Sequence, residues 1–294
     1  MRRPTGRCRT GWPTSVVTER AESTDAGPAR LDAELVRRGL ARSRAQAREL
    51  VEAAGVLVDG SVAGKASLLV HPTMSISVTY QPDRWVGRAA YKLLEALRVF
   101  GPRGLTVAGR RCLDVGASTG GFTQVLLDAG AAHITALDVG HDQLAPEVAR
   151  DPRVDERSGT NIRDVRPGDL GEPFDVVVAD LSFISLRLVL DVIASLMTPT
   201  ADAVLLVKPQ FEVGRDRLAR TGVVTSSHEH GRVLTEVLET VIAAGLHPRD
   251  LAPSPIRGST GNREYLLWVT TGRGEPFDER VVATVVRASA KGAP

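Results

Sequence analysis

The pattern of apolar and polar positions changes character along the chain. Between residues 30 and 78 the apolar stretches are short. Leu31, Leu35, Val36 and Leu40 recur at helical spacing and stop near Gly39. Ser43-Arg-Ala-Gln46 is a capping-box pattern, which predicts a second helix from Arg44 to about Ala54. Ala47, Leu50 and Val51 form its apolar side, and Gly55 is its stop. Val56-Leu-Val58, a turn at Asp59-Gly60 and further β-like runs ending in Ile76-Ser-Val78 complete a small α+β module over 30–80. Ahead of it, residues 1–29 are rich in Arg, Thr, Pro and Gly without periodicity and read as a disordered tail. After it, 81–88 contain Pro82, Trp85 and Gly87 and read as a linker.

A helix is predicted from about Ala89 to Phe100, ended by Gly101-Pro102. From Arg111 onward, strand and helix patterns alternate. The strand candidates are Arg111–Val115, His133–Asp138, Arg153–Glu156, Asp175–Ala179, Ala203–Lys208 and Glu264–Thr270. Helical stretches include Gly121–Ala129, Leu186–Met197, His228–Ala244 and a last helix over Asp278–Ala290. This alternation predicts a Rossmann-like α/β domain over 89–294. Its sheet is mostly parallel with one antiparallel strand, and helices cover both faces; if Glu264–Thr270 is the strand that runs against the rest, its start lies at the edge where the other strands end.

Composition narrows the picture. The chain has 294 residues, of which 43% are hydrophobic and 24% charged, values that exclude a wholly disordered protein. It has no uninterrupted apolar run of about 18 residues, so no membrane-spanning helix is expected. No apolar segment follows the N-terminal arginines, so no secretory signal is read there. Cys8 and Cys112 lack any disulfide or zinc spacing, which fits a reducing cytoplasm. The net charge of +2 does not by itself point to nucleic acid. Among 37 basic residues only Lys65, Lys92, Lys208 and Lys291 are lysines. A lysine at a motif position here is a candidate for its titratable amine.

Cys112-Leu-Asp-Val-Gly-Ala-Ser-Thr-Gly-Gly-Phe122 is the strongest local signal: a short strand, a glycine-rich turn and a helix start. The nicotinamide fingerprint would put glycine where Ser118 stands, and Asp114 precedes the first glycine by two positions. That acid repels a pyrophosphate and suits a ligand carrying positive charge, such as the ammonium of S-adenosylmethionine (SAM). Asp138 ends the next strand, placed to accept hydrogen bonds from ribose hydroxyls. A solvated acid at a strand end is the ordinary alternative for Asp138 taken alone. The candidate cofactor set is Asp114, Gly116, Ser118, Gly120, Gly121, Phe122, Asp138, Asn161 and Asp180.

Other ionisable residues fall at strand ends, where open α/β sheets bind ligands. Asp180 and Lys208 follow apolar strands, Glu264 begins one, and Lys92 lies on the helix before the sheet. Each alone reads as a surface charge, but two carboxylates and two lysines at one edge can orient and deprotonate a hydroxyl. His228 and His230 read as exposed residues at a helix start rather than metal ligands, and no metal is expected. Ser182 and Ser185 lack a nucleophile elbow.

The stretch Leu31-Asp-Ala-Glu-Leu-Val-Arg-Arg-Gly-Leu-Ala-Arg-Ser-Arg44 resembles the start of an S4-type RNA-binding domain. Asp114-Val-Gly-Ala-Ser-Thr-Gly-Gly-Phe-Thr123, Val178-Ala-Asp-Leu-Ser-Phe-Ile-Ser185 and Leu206-Val-Lys-Pro-Gln-Phe-Glu-Val-Gly214 resemble the TlyA (hemolysin A) family. These are ribosomal RNA ribose 2′-O-methyltransferases with an FtsJ-like catalytic domain. The resemblance spans roughly 30–290. It implies a catalytic tetrad of Lys92, Asp180, Lys208 and Glu264, with Asp180 and Glu264 holding Lys208 and Lys92 tuning it. It also implies SAM as methyl donor, a cytidine in rRNA of both subunits as target, and a cytoplasmic place of action. The expected RNA face is Arg37, Arg38, Arg42, Arg44 and Arg48. Three other readings stay open: a non-catalytic RNA-binding or assembly factor, a membrane-lytic hemolysin, and a small-molecule methyltransferase.

Overall fold

A computed structural model describes residues 17–19, 27–41, 43–52, 55–78, 85–272 and 277–291. Two compact units divide the chain, 1–84 and 85–294. In the first, helices α1 (Leu31–Arg37) and α2 (Arg44–Glu52) pack on short antiparallel strands. Leu31, Leu35, Ala47, Leu50, Val56 and Ile76 form their shared core. The strands are β1 (Val17–Glu19), β2 (Ala29–Arg30), β3 (Val56–Val58), β4 (Ser61–Val62), β5 (Leu69–Val70) and β6 (Ile76–Val78). One sheet has the order β1-β6-β3-β4, and β2 pairs with β5. Asp59 and Gly60 both take positive φ, which lets a two-residue loop join β3 to β4. Ser43 Oγ accepts the Gln46 N–H at 3.2 Å, as the capping box requires.

Two features of this unit depart from the sequence expectations. Val17–Glu19 lies in the stretch expected to be an irregular tail, yet it pairs antiparallel with β6. Pairing at an open sheet edge is tertiary context that local patterning does not carry. Arg38, expected on the RNA face, is buried. Its guanidinium donates to Glu34 Oε1 at 2.7 Å and to the carbonyls of Met74 and Pro72 at 2.9 and 3.0 Å.

The second unit is built on a seven-stranded sheet of order β12-β13-β11-β10-β7-β8-β9. Its strands are β7 (Arg111–Val115), β8 (His133–Leu137), β9 (Val154–Arg157), β10 (Phe174–Ala179), β11 (Met197–Val207), β12 (His247–Pro253) and β13 (Tyr265–Thr270). From β9 to β11 all neighbours are parallel; β13 is antiparallel to both β11 and β12. The helices are α3 (Ala90–Phe100), α4 (Gly121–Asp128), α5 (Pro146–Ala149), α6 (Leu190–Ser195), α7 (Pro209–Glu212), α8 (Ser227–Ala243) and α9 (Arg280–Lys291). Alternate residues of the central strands enter two cores. Val177, Ala179, Leu205 and Val207 pack with residues of α6, α8 and α9. Val176, Val178, Val204 and Leu206 pack with residues of α3 and α4. Burial on both faces is why these strands read as continuous apolar runs. Strand order reverses between β7 and β10, and the crevice at such a point is where doubly wound sheets take ligands.

Four expectations are corrected here. Trp85, assigned to the linker, is buried against α3 and α4, and the Val86 N–H donates to Gln124 Oε1. The single helix expected over 186–197 is a 3₁₀ turn (Leu186–Leu188), a break at Val189 and α6, with Met197 already in β11. His230, expected to be exposed, is fully buried; Nε2 meets the Val224 carbonyl and Nδ1 meets Tyr265 Oη, each at 2.9 Å. Strand β12 was not predicted, because its two prolines and charged residues hide it. No helix among the described residues is long and apolar enough to cross a membrane.

The contrast between Arg38 and its neighbours is testable by denaturant unfolding. Arg38→Ala removes a buried ion pair and two carbonyl hydrogen bonds and is expected to cost about 2–4 kcal/mol. Arg48→Ala, at an exposed position, is expected to change stability by about 0.5 kcal/mol or less.

Candidate active site

The crevice at the strand-order reversal is lined by the glycine-rich turn. Gly116 takes φ +84°, and a Cβ there would lie 3.0 Å from the Asp180 carbonyl oxygen, so the turn after β7 passes directly against the end of β10. Gly120 takes φ +93° and precedes α4; a Cβ on it would meet Leu144 and Val148 at 3.0 Å. Ser118 also has positive φ, at +47°. Asp138 holds this strained turn. Its Oδ2 accepts the Ser118 N–H and its Oδ1 the Gly140 N–H, both at 2.8 Å. A carboxylate oxygen retains further lone pairs after one such bond, so Asp138 can still accept from hydroxyls. Phe122 and Gly121 are buried at the start of α4, and Asn161 Oδ1 accepts the Arg163 N–H at a 3₁₀ turn after β9.

Asp114 differs from Asp138 in kind. It is completely buried, Oδ2 accepts from Thr123 Oγ1 at 2.6 Å, and Oδ1 has no partner. Burial pushes its carboxyl up to about 7, opposed by the Thr123 hydrogen bond and reinforced by the charge of Asp180. A buried, unpaired carboxylate oxygen beside a glycine turn is the chemistry a cationic ligand completes, and SAM carries that charge.

The four candidate catalytic residues meet at the same edge of the sheet. Lys92 Nζ, from α3, lies 2.8 Å from Glu264 Oε2 and 3.2 Å from Asp180 Oδ2. Lys208 Nζ, just past β11, lies 2.6 Å from Asp180 Oδ1 and donates to Ser182 Oγ at 2.7 Å. The order is therefore Glu264, Lys92, Asp180, Lys208, Ser182. Glu264 holds Lys92 rather than Lys208, which corrects the expected pairing. The antiparallel direction of β13 brings Glu264 here, since its start lies beside the end of β11. Lys92, Lys208 and Glu264 are buried. Alternating charges at such distances offset the cost of burying each ion.

Two neighbours carried no signal of their own. Ser182 follows Asp180 by two residues and has no nucleophile elbow around it; its role is to accept from Lys208. Phe183 is 92% exposed and takes φ +65°, and its ring centroid lies 5.4 Å from that of Phe211 with the planes tilted by 48°. An apolar ring projecting from a strained backbone at a catalytic edge is a signal only the structure shows.

In the small unit, Asp32 is buried beneath Arg30, Arg44 and Arg48, at 3.1, 3.0 and 3.5 Å. The Arg30 hydrogen bond holds its carboxyl well below the usual range. The three guanidinium groups are half exposed around one buried acid. Arg37 is exposed and bonded to Glu34. Arg42 lies outside the described residues. Arg30 was not in the expected set and pairs with Asp32 alongside Arg44 and Arg48.

Fold and site together define a Rossmann-like methyltransferase. An FtsJ-like methyltransferase family model matches residues 85–271, and an S4 domain model matches 29–76. The 16S/23S rRNA (cytidine-2′-O)-methyltransferase TlyA of Mycobacterium tuberculosis is 49% identical over 244 residues, covering 83% of this chain and 90% of that protein. Hemolysin A of Brachyspira hyodysenteriae is 34% identical, covering 81% of this chain and 98% of its own. A solved structure of a hemolysin-named protein from Streptococcus thermophilus superposes with a TM-score of 0.72 at 33% identity, covering 90% of this chain and 96% of that one. The chain belongs to the FtsJ-like methyltransferase family, in the branch typified by TlyA.

Asp114 gives a linkage prediction. Its folded carboxyl titrates near 7, above the ordinary value near 4. The penalty for ionising it in the fold is absent at low pH and grows as pH rises through that interval. Between pH 4 and pH 8 the unfolding free energy of Asp114→Asn should therefore rise relative to wild type by about 2–4 kcal/mol. Parallel denaturant titrations at the two pH values check it.

Proposed function

We propose that this protein transfers the methyl group of SAM to the ribose 2′-hydroxyl of a cytidine in ribosomal RNA. The small unit docks the RNA, and the unit from Trp85 onward performs the chemistry. The observation that carries this reading is the buried Glu264–Lys92–Asp180–Lys208 chain beside the glycine turn. The relative from Mycobacterium tuberculosis, named for that reaction, supports the choice of base and RNA. The S4 domain match supports RNA over a small molecule as substrate. Ribosomal RNA as substrate makes the cytoplasm its place of action.

SAM would be held by Asp114 at its positive end, by the Gly116–Gly121 turn along its length, and by Asp138 at its ribose. When bound, it supplies an electrophilic methyl group. Lys208 Nζ donates to Ser182 Oγ and lies 2.6 Å from Asp180 Oδ1 as an ion pair. In its amine form it orients the ribose 2′-hydroxyl and takes up its proton. Asp180 fixes Lys208, and Lys92 ties Asp180 to Glu264 so that this carboxylate cannot swing away. Most of the acceleration is positioning. Phe183 presents a bare ring next to this site, the kind of platform on which an unstacked base rests. Arg30, Arg44 and Arg48, half exposed around Asp32, supply phosphate contacts in the small unit.

Methyl transfer from labelled SAM to ribosomal subunits lacking the modification tests the reading. Wild type should label the RNA at a position that then resists alkaline cleavage. Lys208→Ala should lower kcat about 10²–10⁴-fold while still binding SAM; near-normal transfer by that variant refutes the assignment. In RNA binding, replacing Arg30, Arg44 and Arg48 should flatten the salt dependence by about one unit of slope for each phosphate that is no longer neutralised. An unchanged slope would place the RNA-binding surface elsewhere.

A further inference from the structure

Among the described residues of the large unit, Glu212 is the most deeply buried acid that the proposed chemistry does not use, apart from the cofactor-facing Asp114. It ends α7, four residues after Lys208. Its Oε2 accepts from Ser185 Oγ at 2.5 Å and lies 3.4 Å from Arg187 Nε; its Oε1 accepts the Leu186 N–H at 2.7 Å. Arg187 also donates to the Glu212 carbonyl oxygen at 2.7 Å. Each of these bonds joins α7 to the segment that follows Asp180.

The two segments form a closed ring. One runs from Asp180 to Ser185, the other from Lys208 to Glu212. The Lys208–Asp180 ion pair closes one end, and the Glu212 hydrogen bonds close the other. Between them lie the Lys208–Ser182 hydrogen bond and the Phe183–Phe211 ring pair. Phe183 sits in left-handed backbone at φ +65°, a conformation a phenylalanine keeps only where its surroundings impose it. Its own side chain is exposed and contributes little burial to that end. The constraint has to come from the ends of the loop.

We infer that Glu212 is a positioning residue for methyl transfer: it clamps the 181–186 loop to α7 and so sets Ser182 against Lys208. This rests on the function proposed above. Burial raises the Glu212 carboxyl, and the Ser185 hydroxyl, the Leu186 N–H and Arg187 oppose that rise in part. A purely fold-stabilising acid would show the same burial but no coupling to Ser182.

The test is single-turnover and steady-state methyl transfer to ribosomal subunits by the full chain carrying Glu212→Gln, Ser182→Ala or both. Glu212→Gln is expected to lower kcat about 10- to 100-fold, with KM for both substrates, SAM affinity and melting temperature near wild type. The double variant should be no slower than the slower single one, because on this inference Glu212 acts through the Lys208–Ser182 hydrogen bond that Ser182→Ala removes. Additive losses, or a wild-type kcat, would overturn the inference. Should Glu212→Gln fold poorly, Ser185→Ala removes one loop hydrogen bond while leaving the acid paired, and a smaller kcat loss with unchanged KM is expected; unchanged kcat again counts against the clamp. Hydrogen exchange of residues 181–188 is read alongside, with faster exchange of the Leu186 amide expected in Glu212→Gln. That arm is independent of activity. If wild type transfers no methyl group, the functional reading fails, and unchanged exchange would by itself refute the clamp.

Discussion

Asp180 lies between two ammonium groups, at 3.2 Å from Lys92 and 2.6 Å from Lys208, and the rest of the catalytic unit is arranged so that this sharing is possible. Removing these ions from water costs several kcal/mol each. Attraction across such short distances, at the effective dielectric of a protein, returns about 4 kcal/mol per ion pair. The two effects nearly cancel, so the cluster adds geometry rather than stability. Its geometry demands that a helix before the sheet, the ends of β10 and β11 and the start of β13 reach one edge. A fully parallel sheet would put the start of β13 at the opposite edge. The antiparallel β13 is therefore the topological condition for Glu264 to meet Lys92.

The same edge carries a division of labour between two acids. Asp138 spends its oxygens on backbone N–H groups of the turn and so keeps Ser118 in left-handed backbone. Asp114 spends one oxygen on Thr123 and leaves the other buried and bare. The first arrangement shapes the turn; the second leaves an acid whose ionised form burial disfavours. Because Gly116 also presses on the Asp180 carbonyl, the turn and the charge chain share a wall. A side chain at position 116 would disturb both.

How much of this was legible follows from where each constraint acts. The central strands were readable because burial on both faces makes them unbroken apolar runs. That Asp180, Lys208 and Glu264 meet at one edge was readable because they stand at strand ends of an open sheet. Arg37 and Arg38 are indistinguishable in sequence, and carbonyls of Pro72 and Met74, more than thirty residues away, decide that Arg38 is the buried one. Strand β12 was illegible because His247-Pro-Arg-Asp reads as a loop, although an edge position tolerates it. Glu212 carries no local signal, because its three partners come from a loop 25 to 27 residues earlier. The pairing of Glu264 with Lys92 was also out of reach, because spacing along the chain does not say which lysine an antiparallel strand will face.

The distribution of lysine and arginine carries the same logic to the level of residue type. Arginine occupies the positions where charge is fixed: Arg38 spans a carboxylate and two carbonyls, and Arg187 forks between Glu212 and Glu236. A planar, permanently protonated fork suits such static crosslinks. Two of the four lysines stand in the charge chain. A guanidinium at position 208 could still pair with Asp180, but it could not take up a hydroxyl proton. At position 92 a compact ammonium fits between two carboxylates that a fork would force apart. In a chain that otherwise prefers arginine, lysine stands at the two points where a single nitrogen lies close to two oxygen partners: Glu264 and Asp180 for Lys92, Asp180 and Ser182 for Lys208.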